Sequence, residues 1–305
     1  MIPSLAQNAA PSSADTLARN GGVVETRLLS DCTVAIIGLG SGGSLIADQL
    51  ARAGVGNLVL VDFDTLETHN VGRHLCDIAD LGRRKTAAVA DALRRRAPGI
   101  DIQTAEIDIV ADPEALAEAV RRCQILVGAT DGNPSRRIVN RLAIESSRTA
   151  VYGRAYTRAC GGDVLRTRSG EPCWECTYGR STTEEEVASA YSNNGVAYAD
   201  RPVVAEPGLA LDIAPIALMC ARLVLAELVR GKGSAIESLD ADLTAGLYLW
   251  ANRREGSFEH WKPMEFGLRE FAVQRWYGMR TAHDAQCPAC AEGAMVSAML
   301  AEHGL

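Results

Sequence analysis

Gly38, Gly40 and Gly43 stand at G-x-G-x-x-G spacing within the stretch VAIIGLGSGGS. In that spacing the first glycine permits a tight turn and the second lets backbone approach a phosphate. The third allows a helix to pack close against a strand. Asp62 closes the next apolar run, LVLVD, where a carboxylate that holds ribose hydroxyls is expected, and Asp64 follows two residues on. These residues specify a nucleotide and leave its identity open. Asn70, Arg73 and Lys85 follow in THNVGRH and LGRRK, where a hydride-transferring enzyme has no use for them. Phosphoryl and nucleotidyl transfer depend on positioning and charge neutralisation, which these side chains supply. Asp131, at the end of the run ILVGAT, adds a carboxylate suited to a divalent ion. Singly, Arg73 and Lys85 also fit surface charges, and Asp131 fits a helix N-cap before Pro134. All three in this order favour a site for ATP and magnesium.

Nine cysteines form the second chemical set. Cys173 and Cys176 stand in CWEC, and Cys287 and Cys290 in CPAC, two C-x-x-C knuckles suited to a closed tetrahedral zinc site. Four thiolates leave no open coordination position, so the expected role is structural. A redox dithiol and unrelated buried cysteines are the competing readings. Cys32, Cys123 and Cys220 fall at strand edges or on apolar helical stretches, where free cysteine behaves as a small hydrophobe. Cys76 and Cys160 lie nearer the predicted crevice; core packing is the first expectation for both, and reactivity the second.

The elements that position these residues alternate from Val34 to about Arg148, the pattern of a doubly wound α/β sheet. Val34 to Ile37 and Leu58 to Val61 read as buried parallel strands, with a helix from Ser44 to Ala53 between them. Gly82 to Lys85 opens a helix running to Arg96, whose closing Arg94, Arg95 and Arg96 complement the helix dipole. Ala150 to Arg154 and Gly162 to Arg168 are further strands leading into the first knuckle. An apolar helix spans Leu211 to Val229. Ala245 to Asn252 and Phe271 to Met279 alternate as antiparallel strands, and Tyr248, Trp250, Trp276 and Tyr277 on them fit either a docking surface or core or edge packing.

The combined order GLGSGG, AGVGNLVLVDFD, N-x-x-R, G-x-x-K, ATDGN-x-x-R-x-x-x-N and two distant knuckles resembles the ThiF/MoeB/HesA family, bacterial relatives of ubiquitin-activating enzymes. The similarity covers roughly residues 20 to 292. It implies a Rossmann-like mixed sheet with a crossover loop at 177–207, and antiparallel strands with the second knuckle at 245–292. Residues 21–305 would form one adenylation domain behind a flexible arm, 1–20. The resemblance further implies that Gly38, Gly40 and Gly43 cradle phosphate and that Asp62 binds ribose. It puts Asn70, Arg73 and Lys85 on phosphates and magnesium on Asp131, and it makes Arg136 and Asn140 a structural or substrate-side pair. The implied partners are a ubiquitin-like protein or peptide with a C-terminal glycine, a downstream conjugating or sulfur-transfer protein, and a second copy of the chain. His74 stands where the family usually has glutamine, and Gly132 then Asn133 where it has asparagine directly after the metal aspartate. Arg19 and Arg27 are the candidates for an arginine that reaches into a partner's site.

The implied reaction is ATP-dependent adenylation of a C-terminal carboxylate with release of pyrophosphate. Such a carboxylate is ionised at neutral pH (unperturbed pKa about 3.3–3.7) and needs no general base. Relatives that form a thioester commonly carry a cysteine in the crossover, and Thr177 to Pro207 has none. The acyl-adenylate is therefore expected to pass to a partner. Ester formation on Ser181, Thr182, Ser189 or Ser192, or capture by Cys76 or Cys160, stays open. Adenylation of a short peptide in natural-product biosynthesis is the alternative within the class. An NAD-dependent oxidoreductase or a catalytically silent binding relative is the alternative outside it.

Composition bounds the rest. A net charge of −7 argues against nucleic acid as the main partner. No run of about eighteen apolar residues predicts a membrane span. Met1 to Asn20 is rich in Ala, Ser and Asn without a basic-then-apolar leader pattern, and knuckle-spaced cysteines fit the cytoplasm.

Overall fold

The computed structural model describes residues 13–178, 208–260 and 272–291. Eight strands among them form one sheet: β1 (Thr33–Ile37), β2 (Asn57–Val61), β3 (Asp101–Ala105), β4 (Ile125–Gly128), β5 (Thr149–Ala155), β6 (Gly161–Thr167), β7 (Leu247–Ala251) and β8 (Arg275–Met279). Their order is β3-β2-β1-β4-β5-β6-β7-β8. The first five are parallel, and β5 to β8 pair antiparallel. This is the doubly wound α/β sheet expected from the alternation of elements, in the Rossmann-like mixed form that the resemblance implies. The chain adds strands outward on one side of β1 and then returns to add β4 on the other. That reversal leaves a crevice at the C-terminal ends of β1 and β4, where an open α/β sheet places its ligand.

The helices that cover the sheet are α2 (Ser41–Ala53), α3 (Lys85–Arg96), α4 (Pro113–Ala119), α5 (Asn133–Glu145), α6 (Trp174–Tyr178) and α7 (Ala210–Val229), after a short N-terminal α1 (Ser13–Thr16). Side chains of β1 and β2 alternate between the two faces, as a period of two requires. Val34, Ile36, Leu58 and Leu60 pack with α2, α3 and α7, whereas Ala35, Ile37, Val59 and Val61 join Leu116, Val139 and Trp174 on the other side. Both faces are buried, so these strands read as continuous apolar runs. Leu60 is fully enclosed, and its replacement by alanine would cost about 2–5 kcal/mol.

Several details differ from the sequence reading. Helix α2 begins at Ser41 and not Ser44, because the glycines themselves form its first turn. The strand β3 was not singled out, since its burial alternates weakly at the sheet edge. From the expected arm, Asn20 donates from its amide to the carbonyls of Arg52 and Ala53 at 3.1 and 3.3 Å, closing the C-terminus of α2. Residues 1–12 of that arm lie outside the described residues, as do 179–207 with Ser181, Thr182, Ser189 and Ser192, and Phe271. Arg94 to Arg96 do end α3, and Arg96 also meets the buried Asp48 at 2.8 Å. Tyr248 and Trp250 are core residues, and Trp250 packs its ring 5.2 Å from that of Trp276. Trp276 and Tyr277 are half-buried on the edge strand β8. Among the described residues no helix is long and apolar enough to cross a membrane.

Candidate active site and four-cysteine centre

The glycine loop follows β1 at the crevice. Gly38 has φ +92°, and a Cβ there would sit 2.8 Å from the Ala129 carbonyl oxygen at the end of β4. A Cβ on Gly43 would fall 1.9 Å from the Gly38 carbonyl oxygen. These two glycines are required by backbone approach. Gly40 differs, since a Cβ there would meet nothing within 4 Å. It faces open space, and as the N-cap of α2 it contributes no side-chain hydrogen bond. The first-turn amides of α2 are thus left to an external acceptor, and an anion fits there.

Asp62 pins this loop. Its Oδ2 accepts from the Leu39 N–H at 2.6 Å and its Oδ1 from the Asp64 N–H at 2.8 Å. Burial pushes its carboxyl pKa up, while Lys85 and the two amides act in the opposite direction. Lys85 opens α3 and is held twice by Asp64. Its N–H donates to the Asp64 carbonyl at 3.0 Å, and its Nζ meets Asp64 Oδ2 at 2.7 Å. Asn70 caps its own turn, accepting from the Glu67 N–H at 3.0 Å through Oδ1. Arg73 lies past that turn beside the segment that follows the crossover, with its Nη1 3.8 Å from where a Cβ on Gly208 would stand. His74 supports the loop from below. Its Nε2 lies 2.7 Å from the Leu39 carbonyl oxygen, and its Nδ1 accepts from the Cys76 N–H at 3.0 Å. That pairing assigns the proton to Nε2.

Asp131 is exposed at the crevice, one residue beyond Thr130, whose methyl would touch a Cβ on Gly38. The structure therefore brings the glycine loop, Asp62, Asp64 and Lys85 to one end of β1 and β2 and sets Asp131 beside the same loop. Asp131 also borders a cavity of about 450 Å³ lined by Arg136, Arg154, Tyr156, Thr157, Arg158, Cys160, Glu255 and Gly256. Most of these residues escaped the sequence reading. The signal was present for Arg154, which stands at the C-terminal end of a parallel strand, the same position that identified Asp131.

The turn that floors this cavity is tightly specified. Arg158 and Ala159 adopt φ of 58° and 47°, an unfavourable region for both residue types. Their carbonyls are captured by the Arg253 guanidinium and by the Asn252 amide, the latter at 2.8 Å, and the Cys160 carbonyl accepts from the N–H of both. Backbone held this way by its surroundings is typical of ligand sites. Cys160 is 3% exposed and lines the cavity, whereas Cys76 is buried away from it and burial pushes its thiol up to about 12. Cys32, Cys123 and Cys220 are core residues.

Helix α5 serves two sites. Arg136 on its first turn faces the cavity; Asn140, one turn later, is buried and donates from Nδ2 to the Cys173 Sγ at 3.6 Å. Asn140 Oδ1 also accepts from the Trp174 N–H at 3.0 Å. Of the expected pair, Asn140 is the structural member. Cys173, Cys176, Cys287 and Cys290 come together, their sulfurs all within 4.8 Å of one another. The pairs Cys173–Cys287, Cys176–Cys290 and Cys173–Cys176 are 3.6, 3.3 and 3.9 Å apart. A tetrahedron with Zn–S bonds of about 2.3 Å has edges of about 3.8 Å. The sulfurs fit that ion.

Comparison with known proteins places these features in context. The sequence model of the ThiF family matches residues 15–241. The molybdopterin-synthase adenylyltransferase of Escherichia coli is 34% identical over 149 residues, covering 48% of this chain and 59% of that protein. The ATP-dependent ubiquitin transferase-like protein Cap2 of Pseudomonas aeruginosa is 30% identical over 161 residues, covering 50% and 28%. This chain thus spans less than two thirds of either relative. Among solved structures, MccB of E. coli with ATP aligns with a TM-score of 0.63 over 87% of this chain and 68% of that one, at 19% identity. That likeness shows the shared fold.

Proposed function

We propose, on the premise that the chain belongs to the ThiF family, that it activates the C-terminal carboxylate of a ubiquitin-like protein or peptide by ATP-dependent adenylation. The observation that carries this reading is the buried Lys85, fixed by Asp64 beside a glycine loop whose open face, at Gly40, admits a phosphate. The relatives named adenylyltransferases support it.

In this reading the α2 amides and Gly40 receive the phosphates, and Asp62 orders the loop while its remaining acceptor capacity meets the ribose. Asn70, Arg73 and Lys85 take the charge of the departing pyrophosphate. The substrate carboxylate, already ionised, attacks the α-phosphorus; its C–O–P bond forms as the bond to pyrophosphate breaks. Asp131 would hold magnesium, which when bound neutralises phosphate oxygens. Cys173, Cys176, Cys287 and Cys290 would hold zinc, tying the middle of the chain to its C-terminal knuckle. The acyl-adenylate then passes to a partner's nucleophile, a reading supported by the cysteine-free crossover sequence and by the raised Cys76 pKa. Substrate-dependent ATP–pyrophosphate exchange tests the assignment. Lys85→Ala, Arg73→Ala and Asp131→Ala should each lower it by about 100-fold or more in folded protein, and wild-type rates in all three would overturn it.

A further inference from the structure

The cavity beyond Asp131 is more cationic than a glycine tail requires. Three guanidiniums line it, from Arg136, Arg154 and Arg158, against the carboxylates of Asp131 and Glu255. Arg158 is paired with Glu255, which Arg253 also grips. Arg154 is paired from behind by Asp163, its direct neighbour across β5 and β6. Its Nε lies 3.2 and 3.1 Å from the two carboxylate oxygens, and its Nη2 lies 2.5 Å from Oδ2. The hydroxyls of Tyr156 and Tyr178 each donate to Asp163 at 2.8 Å, and the Arg154 guanidinium lies 4.0 Å from the Tyr178 ring centre. Asp163 is 1% exposed, and these donors occupy both its oxygens and hold Arg154 against it. What it offers the cavity is the far edge of its guanidinium.

Arg136 is the unmatched charge. It is 6% exposed, and its Nη1 donates to Asn133 Oδ1 at 3.1 Å. Its Nε is buried without a hydrogen-bond partner. Among the described residues no carboxylate pairs with it, and it stands near enough to Arg154 for the two charges to repel. Burial first, and then Arg154, push its pKa down to about 10, while Asp131, Asp163 and Tyr178 act only partly in the opposite direction. A buried cation with an orphaned donor, lining the same cavity as a second cation, favours an anion bound there.

We propose that this cavity reads an acidic side chain within the last two residues of the substrate, with the carboxylate bridging Arg136 and the outer edge of Arg154. The inference rests on the adenylation reading for the identity of the ligand as a C-terminal tail. The carboxylate to be activated belongs at the glycine loop, so the cavity serves a neighbouring side chain. A diglycine tail would leave about 450 Å³ and both guanidiniums unused. Asp163 is the positioning residue for Arg154, and Tyr178 links that position to α6, which carries Cys176 and directly follows Cys173.

The test uses the full chain with magnesium and a non-hydrolysable ATP analogue, and four acetylated peptides ending Ala-Glu-Gly, Ala-Gln-Gly, Ala-Gly-Glu and Ala-Gly-Gln. Calorimetric binding should favour a glutamate peptide over its glutamine isostere by at least tenfold. Arg136→Gln should abolish that preference. Arg154→Gln alone strands the buried Asp163, so the paired change Arg154→Gln with Asp163→Asn is included, and it should lose the preference at a near-wild-type Tm. Equal binding of acid and amide peptides, no binding of any, or a preference that survives both variants would overturn the proposal. ATP–pyrophosphate exchange separates the two readings. Acid-selective binding without exchange by any peptide or glycine-tailed protein would defeat adenylation and leave the acid site standing. Exchange with glycine-tailed proteins but no acid preference would do the reverse.

Discussion

Lys85 and Asp64 form a two-point clamp, with the lysine N–H on the Asp64 carbonyl at 3.0 Å and its Nζ on the carboxylate at 2.7 Å. The lysine side chain is 8% exposed, so its charge is partly desolvated and its position is fixed at the first residue of α3. Such a cation acts strongly on charge that develops beside it, because little solvent has to reorganise.

Lys85→Ala should lower ATP–pyrophosphate exchange by about 10²–10³-fold, the usual loss for one preorganised donor. Asp64→Asn keeps the backbone contact and loses the ion pair. About a tenfold loss is expected there, mainly in kcat and not in KM for ATP, since positioning and not contact is what weakens. Exchange kinetics at varied ATP would show it, and an unchanged kcat in Asp64→Asn would remove the clamp from the mechanism.

His74 makes the glycine loop sensitive to acid. Burial lowers its pKa from the ordinary 6.5, opposed by its bond to the Leu39 carbonyl. The unfolded chain therefore takes up a proton as pH falls through about 6.5, while the folded chain holds His74 neutral to a lower pH. Folded stability is complete above that window and declines within it. His74→Gln keeps a donor and an acceptor without a titrating group, so its Tm should fall less between pH 7.5 and 5.5. Parallel slopes for the two proteins would exclude His74 as the source.

The nucleotide half of this site was legible in the sequence because glycine spacing and a strand-end acid report local geometry. The four cysteines were legible for the same reason, each knuckle being a local pattern. Asp163 was not, because its role appears only when β6 pairs antiparallel with β5 and sets it opposite Arg154. Asn140 was visible as part of a motif, but its bond to Cys173, 33 residues away, needed the packing of α5 on α6. Glu255 and Asn252 come from a loop after β7 whose approach to the Arg158 turn no periodicity encodes.

The four-cysteine centre should hold one zinc per chain, measurable by elemental analysis. Its removal by a strong chelator should lower Tm sharply, since binding to a structural site is folding free energy of about 10–16 kcal/mol in small zinc domains. Asn140→Ala removes the amide that orients Cys173 and should weaken zinc affinity about 10–100-fold. Competition with a chromophoric chelator reads this directly. Affinity unchanged by Asn140→Ala would reduce that residue to packing.

The fate of the acyl group is decided by which nucleophile is both reachable and ionisable. Cys76 fails the second condition, because burial and the nearby Asp80 raise its thiol to about 12, leaving almost no thiolate at neutral pH. Cys160 borders the cavity but is 3% exposed, its turn fixed by Asn252 and Arg253. Direct transfer from the adenylate to a partner should therefore tolerate Cys76→Ser and Cys160→Ser, with exchange and acyl transfer within about twofold of wild type. Intact-mass measurement during turnover should show acyl-adenylate bound without a covalent adduct. A hydroxylamine-labile mass that disappears in Cys160→Ser would instead make Cys160 the acceptor, and one that survives both cysteine changes would point to a hydroxyl ester.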